Sequence, residues 1–121
     1  MSKRILIVED DELLNSAYRS FFRNINYTTK QLYNGRDVVS EAIKFGPDLV
    51  LLDVLLPHKD GIEILKELKS NTETKTVPVL MTSNVSSAEV KQKAKEAGAE
   101  GYFIKSNTLL TEIKEAIDKL T

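Results

Sequence analysis

The stretch LVLLDVLLPHKDG, residues 49–61, carries the pattern that decides the fold. It begins with a run, 49–52, that is apolar at every position, and it continues into Asp53 and a turn at Asp60 and Gly61. A short run of this kind is typical of a strand that is covered on both faces, as in a parallel sheet. We therefore expect a buried strand that ends near Asp53 and is followed by a helix.

The same pattern recurs along the rest of the chain. Short apolar runs occupy 5–8, 79–81 and 102–104, and a more polar, β-branched segment at 28–32 suits a strand at the edge of a sheet. Longer stretches with helical spacing separate these strands. Strand and helix thus alternate five times, which with right-handed crossovers predicts an α/β fold: a five-stranded, doubly wound parallel sheet with five helices.

Apolar residues between the runs recur at helical spacing. The first helix has the longest stripe, which we expect to be buried: Leu13, Leu14, Ala17, Tyr18, Phe21, Phe22 and Ile25. The second helix ends at Gly46, and the third follows Gly61. The fourth starts at Ser86, with Glu89 in capping-box spacing, but its apolar stripe is weak. The fifth, at 109–120, has a strong stripe.

Length and composition limit the classes of protein to consider. The 121 residues, 41% hydrophobic and 29% charged, predict one compact domain over 1–121. Basic and acidic side chains nearly balance, 17 against 18, which disfavours direct binding to nucleic acid. The absence of cysteine excludes disulfides and thiolate metal sites and fits a cytoplasmic location. No apolar run approaches ~20 residues, so we expect no membrane span.

At the carboxyl end of the predicted strands the sequence turns from apolar to polar. The residues there are Glu9, Asp10 and Asp11, then Asp53, then Thr82, Ser83 and Asn84, and finally Lys105. In a doubly wound sheet these ends surround one crevice. Two carboxylates about 4 Å apart repel by about 4 kcal/mol at an effective dielectric constant of 20, so the cluster should bind a cation or take up a proton. Oxygen ligands alone favour Mg²⁺ over zinc.

This combination of groups is suited to phosphoryl transfer. A central carboxylate can act as nucleophile, a magnesium ion can neutralise phosphoryl oxygens, and a lysine and a hydroxyl can donate to the remaining charge. Asp53 is the central residue, and we assign it as the nucleophile. Asp11 is better placed to cap the first helix than to bind a metal ion.

Four segments then carry a family resemblance: ILIVEDD at 5–11, DVLLPHKDG at 53–61, PVLMTS at 78–83 and GAEGYFIK at 98–105. Together they resemble the receiver domain of two-component response regulators, the chemotaxis-type fold. The resemblance extends over nearly the whole chain. It implies a flavodoxin-like sheet with strand order 2-1-3-4-5 and a phosphoacceptor domain that works in signalling.

The resemblance also implies roles for individual residues. Asp53 would accept a phosphoryl group from a histidine kinase or a histidine phosphotransfer protein. Glu9, Asp10 and Asp53 would hold Mg²⁺, together with the main-chain carbonyl of Leu55. Lys105 would pair with the phosphoryl oxygens.

Two further residues would carry the conformational switch. The family's spacing between nucleophile and switch hydroxyl selects Ser83 rather than its neighbour Thr82, and Tyr102 matches the aromatic switch residue. The resemblance implies that the fourth helix, fifth strand and fifth helix form the surface for a downstream protein target. It also allows homodimerisation on phosphorylation.

Three departures from the family pattern stand out. Ser106 replaces the proline that usually follows the lysine through a cis bond, a geometry that would cost ~2.5 to 4 kcal/mol here. Asn84 is larger than the usual residue after the switch hydroxyl. Leu55 and Val85 at the same entrance are apolar and cannot orient an attacking water, so we predict slow hydrolysis of the phosphorylated form.

Two alternatives remain open. An aspartate-nucleophile phosphatase of the haloacid-dehalogenase kind would need a second aspartate where Leu55 stands. A receiver-like scaffold that works without phosphorylation is opposed by the intact acidic residues and Lys105, but Asn84 and Ser106 are compatible with it. We expect no enzymatic activity beyond the protein's own phosphotransfer and slow autodephosphorylation.

Overall fold

The structure, a computed structural model, describes residues 2–121. The strands are β1 (Arg4–Val8), β2 (Thr28–Leu32), β3 (Leu49–Asp53), β4 (Val79–Ser83) and β5 (Gly101–Ile104). The helices are α1 (Glu12–Asn24), α2 (Val38–Phe45), α3 (Gly61–Ser70), α4 (Ala88–Glu96) and α5 (Leu110–Leu120), with a 3₁₀ turn at Lys105–Asn107. All paired strands are parallel, in the order β2-β1-β3-β4-β5. The predicted five-stranded, doubly wound sheet is confirmed, including its strand order.

The three central strands divide their side chains between two apolar layers. The layer beneath α2, α3 and α4 contains Leu6, Val8, Val50, Leu52, Val79 and Met81. The layer beneath α1 and α5 contains Ile5, Ile7, Leu49, Leu51 and Leu80. Both faces of these strands are therefore covered, which explains why their sequences are apolar at consecutive positions. The outer strands β2 and β5 are mostly half-buried, as predicted for 28–32.

The expected burial of Leu13 and Ala17 is wrong, since both side chains are exposed, Leu13 to 85%. At about 100° per residue, Leu13 lies ~140° around the helix from Tyr18, which faces the sheet. Asn15 is fully buried on the sheet side instead. The stripe of α1 is therefore narrower than the sequence suggested, and it includes a polar residue.

The predicted start of the fourth helix is also wrong by one residue. Ser87, not Ser86, is the N-cap of α4, and its hydroxyl accepts a hydrogen bond from the amide of Val90 at 3.4 Å. Both serines have suitable chemistry for a cap, and the backbone places the second one within reach of this amide. The weak stripe is confirmed, because Ala94 is the one fully buried residue of α4.

Gly61 allows α3 to begin directly against the end of β3. A Cβ atom at this position would lie 2.1 Å from the main-chain oxygen of Asp53 and 2.7 Å from Cα of Val54. Any side chain at this position would push α3 away from the end of β3, so the close contact of the helix with Asp53 requires glycine. None of the helices in the described part of the chain has the length and apolarity needed to span a bilayer.

Candidate functional site

Three carboxylates and one ammonium group meet at the carboxyl edge of the sheet. Glu9 follows β1, Asp53 ends β3, and Lys105 follows β5. Carboxylate oxygens of Glu9, Asp10 and Asp53 all lie within 4.8 Å of one another. The convergence predicted for these residues is therefore present, and it arises because parallel strands deliver their ends to one edge.

Lys105 joins the two buried carboxylates. Its Nζ lies 2.6 Å from Oε1 of Glu9 and 2.9 Å from Oδ2 of Asp53. Glu9 and Asp53 are 1% and 2% exposed, so this ion pair is shielded from solvent. The second oxygens accept main-chain hydrogen bonds: Oε2 of Glu9 from Asp11 at 3.0 Å, and Oδ1 of Asp53 from Leu55 at 3.3 Å.

Burial dominates the proton affinities in the cluster. It raises the pKa of Glu9 from 4.5 to about 7, although the hydrogen bond from Lys105 acts in the opposite direction. Burial also raises the pKa of Asp53, again against the effect of Lys105. Burial lowers the pKa of Lys105, but its hydrogen bonds to Glu9 and Asp53 outweigh this and leave the pKa above its usual value. The lysine is therefore charged, whereas ionisation of the two buried carboxylates is unfavourable, and Glu9 retains a proton up to about pH 7.

Replacing Glu9 by glutamine should flatten the dependence of stability on pH. Because the pKa of Glu9 is raised to about 7 on folding, the folded protein retains a proton that the unfolded chain releases above 4.5. Stability without Mg²⁺ should thus fall, by up to roughly 3 kcal/mol, as pH rises through this interval. Urea unfolding in chelator at pH values from 5 to 8 measures this slope. If Glu9→Gln leaves the dependence of stability on pH unchanged, Glu9 is not the group whose raised pKa causes it.

The same cluster fits a magnesium ion. When all three carboxylates are ionised, they leave two negative charges beside the one ammonium group, which match a divalent cation. All the side-chain donors are oxygens, the ligands that Mg²⁺ prefers, and exposed Asp10 leaves an open side for water or phosphate ligands. Asp11 takes no part, because its Oδ1 caps α1 by accepting from the amides of Leu13 and Leu14 at 3.0 and 3.2 Å.

The two predicted switch residues meet at Val85. The hydroxyl of buried Ser83 accepts a hydrogen bond from the amide of Val85 at 2.9 Å. The hydroxyl of Tyr102 donates to the carbonyl of the same residue at 2.8 Å. A movement of Ser83 would therefore release one of the two bonds that hold this loop residue, and Tyr102 holds the other.

Asn84 and Ser106, two of the residues that depart from the family pattern, lie in the segments that follow β4 and β5. Asn84 is exposed at the end of β4. Ser106 lies in the 3₁₀ turn Lys105–Asn107, and no cis peptide bond occurs within residues 2–121. The turn is closed by the hydroxyl of Thr108, which donates to the carbonyl of Ile104 at 2.7 Å.

Sequence reasoning missed Asn15 as a support of the acidic loop. Its Nδ2 donates to the carbonyl of Glu9 at 2.9 Å and to the carbonyl of Leu32 at 3.1 Å. This side chain ties the loop after β1 to the end of β2. The sequence signal for this role was a polar residue among the apolar positions of α1. A polar side chain buried there needs hydrogen-bond partners, which the nearby loop supplies.

Sequence comparisons with known proteins point to one family. The response regulator receiver domain family matches residues 5–118. The polar-differentiation response regulator DivK of Brucella anthropi is 31% identical over 105 residues, which are 87% of this chain and 85% of that protein. A gliding motility regulatory protein of Myxococcus xanthus is 27% identical over 118 residues, 98% of this chain but 15% of that longer protein.

A solved structure gives independent support for the fold. The chemotaxis response regulator CheY4 of Vibrio cholerae aligns over 100% of both chains with a TM-score of 0.90 and 23% identity. The family match spans almost all of the strands and helices described above, and the acidic edge lies where the four sequence motifs meet. The chain therefore belongs to the response regulator receiver domain family of two-component systems.

Proposed function

We propose that this protein accepts a phosphoryl group on Asp53 from a histidine of a kinase or phosphotransfer protein, in a reaction that requires Mg²⁺, and then controls a protein partner. The observation that supports this most strongly is the pairing of a buried Asp53 with Lys105 at 2.9 Å, beside two further carboxylates. A single surface aspartate would have none of these neighbours.

In this proposal one carboxylate oxygen of Asp53 attacks the phosphorus atom. The new P–O bond replaces the P–N bond of the phosphohistidine, and the imidazole leaves with the bonding electrons and takes up a proton. Lys105 stabilises the charge on the phosphoryl oxygens. A magnesium ion held by Glu9, Asp10, Asp53 and the carbonyl of Leu55 would neutralise part of the same charge.

The switch follows from the charge of the product. A phosphoryl group brings about −1.5 to −2 charges, which should attract the hydroxyl of Ser83 as a donor. This movement would break the hydrogen bond between Ser83 and the amide of Val85, and the hydrogen bond from Tyr102 to the carbonyl of Val85 would remain. Helix α4 has one fully buried residue, Ala94, and is therefore the helix most weakly attached to the sheet. We therefore infer that α4, β5 and α5 form the surface for a downstream protein partner, and that phosphorylation allows homodimers to form.

The proposal is tested by intact mass measurement after incubation with acetyl phosphate, with Mg²⁺ or with chelator. We expect one added phosphoryl group with Mg²⁺ and none with chelator. A folded protein that gains no mass with Mg²⁺ would refute phosphotransfer and favour the scaffold that works without phosphorylation.

Phosphorylated protein should hydrolyse slowly, over minutes or longer, and Leu55→Gln should accelerate this roughly tenfold. Leu55 is 60% exposed and lines, with Val85, a groove of about 500 Å³ between α3 and α4. Apolar groups there cannot orient water, whereas a glutamine amide can. Leu13→Gln, at a leucine exposed to 85%, is the matched control. Decay of the mass-shifted species measures the rate, and a half-life of seconds for the wild type would contradict the prediction.

We expect no catalytic turnover of small molecules by this domain. The phosphatase alternative needs a second carboxylate two residues after the nucleophile, and Leu55 occupies that position. A cytoplasmic location stays a prediction that rests on the absence of cysteine.

A further inference from the structure

The side-chain amide of Asn15 lies between α1 and the ends of two neighbouring strands, and it has no role in the mechanism above. Asn15 is fully buried. Its Nδ2 donates to the carbonyl of Glu9, which follows β1, at 2.9 Å and to the carbonyl of Leu32, which ends β2, at 3.1 Å. An amide nitrogen carries two hydrogens, so both donors of this side chain are used.

The main chain of Glu9 is held through both of its polar groups. Its amide donates to the carbonyl of Leu32 at 3.0 Å, which continues the pairing of β1 with β2 past Val8. Its carbonyl accepts the hydrogen bond from Asn15. The first of these bonds belongs to the sheet, whereas the second depends on one side chain of α1.

The carbonyl that Asn15 holds belongs to the peptide unit between Glu9 and Asp10. This unit is planar, so the Cα atoms of both residues turn together with the carbonyl. The carboxylates that these Cα atoms carry lie with that of Asp53 in the candidate site for a divalent cation. Mg²⁺ needs a near-ideal octahedral arrangement of oxygens at ~2.0 to 2.1 Å, so a small rotation of this peptide should weaken its binding.

The oxygen of the Asn15 amide does not explain why this residue is an asparagine. Oδ1 is buried and accepts no hydrogen bond within residues 2–121. A buried acceptor without a donor is unfavourable, and an apolar side chain of similar size would avoid it on a helix face that otherwise buries Tyr18 and Phe22. The asparagine is therefore explained by the carbonyl groups that its nitrogen holds.

Building on the proposed function, we propose that Asn15 is a positioning residue for the magnesium site: by holding the carbonyl of Glu9, it fixes the peptide between Glu9 and Asp10 and so sets the affinity for Mg²⁺. Asn15 acts through Glu9 and takes no part in the chemical step. Loss of a residue that orients a metal ligand typically lowers metal affinity about 10- to 100-fold.

Urea unfolding at increasing Mg²⁺ concentration measures this affinity without phosphorylation, because an ion that binds the folded state alone raises stability. Asn15→Leu keeps the approximate volume and removes both donors, and it should need at least about tenfold more Mg²⁺ for the same rise in stability. Asn24→Leu, at an exposed asparagine of the same helix, should respond as the wild type does. An Asn15→Leu protein that is less stable in chelator but responds to Mg²⁺ as the wild type does would show a structural role alone and overturn the inference.

The rate of phosphorylation by acetyl phosphate gives a second readout on the same variants. In Asn15→Leu the Mg²⁺ concentration for half-maximal rate should rise about tenfold, whereas the rate at saturating Mg²⁺ should stay within about twofold of the wild type. A lower maximal rate with an unchanged half-saturating concentration would overturn the inference. A wild type that is stabilised by Mg²⁺ but never phosphorylated would refute the proposed function alone, and a wild type that Mg²⁺ does not stabilise would refute both.

NMR of the wild type covers the case in which Asn15→Leu does not fold. The side-chain amide protons of Asn15 should exchange slowly with solvent, because both are buried in hydrogen bonds. Their signals should shift when Mg²⁺ is added, because the carbonyl of Glu9 that they contact belongs to a residue that would hold the ion, and the side-chain signals of Asn24 should stay in place. Mg²⁺ that binds, as shown by a shift of the Asp10 amide, but leaves the Asn15 signals unmoved would overturn the inference.

Discussion

Replacement of Asp53 by asparagine is expected to abolish phosphoryl uptake and to make the folded protein more stable. The amide cannot act as a nucleophile, so the phosphorylation rate should fall by at least ~10³-fold, as for other essential nucleophiles. Stability should rise because burial raises the pKa of Asp53, which means that its ionised form is unfavourable in the folded state. Above that pKa, removing the charge should stabilise the protein without Mg²⁺, and Lys105 keeps Glu9 as its counter-charge.

Intact mass with acetyl phosphate and urea unfolding in chelator measure the two effects on the same preparation. Asp37→Asn is a suitable control, because Asp37 is exposed and its side chain makes no capping hydrogen bond. This variant should take up phosphate normally and keep its stability. Mass gain by Asp53→Asn would instead show that another group, with exposed Asp10 as the first candidate, accepts the phosphoryl group.

The sheet could be predicted closely because its signals are local. Residues 5–8 and 49–52 are apolar at every position, and their short length favours a strand buried on both faces over a buried helix. The ends of these strands then place Glu9 and Asp53 at one edge, whatever the details of the helices. The grouping of the acidic site with Lys105 thus follows from the order of the elements.

Other features depend on geometry that no single segment contains. Whether Leu13 is buried or exposed depends on where the axis of α1 lies over the sheet. Whether Ser86 or Ser87 caps α4 depends on the path of the preceding loop. The pairing of Thr82 with Asp53 needs the register of β4 against β3, which sequence periodicity does not provide.

Replacement of Lys105 by methionine should cause the largest loss of stability. Methionine keeps much of the side-chain volume but leaves Glu9 and Asp53 buried without their common counter-charge. Removing one partner of a buried ion pair is strongly destabilising, and we expect a loss of about 3 kcal/mol at pH 8 without Mg²⁺. Lys75→Met, at an exposed lysine, should change stability by less than about 0.5 kcal/mol.

The dependence on pH and magnesium separates this charge effect from a packing defect. In the wild type the pKa of Glu9 is already about 7, and without the ammonium group of Lys105 it must rise further. At pH 5 a carboxyl in the variant should therefore carry a proton, and the loss of stability should be much smaller than at pH 8. Mg²⁺ at pH 8 should restore stability by replacing the lost positive charge, since binding to the folded state alone stabilises it. A loss that is equal at pH 5 and pH 8 and unaffected by Mg²⁺ would mean that Lys105 contributes through the packing of its stem, and that the cluster does not hold the ion.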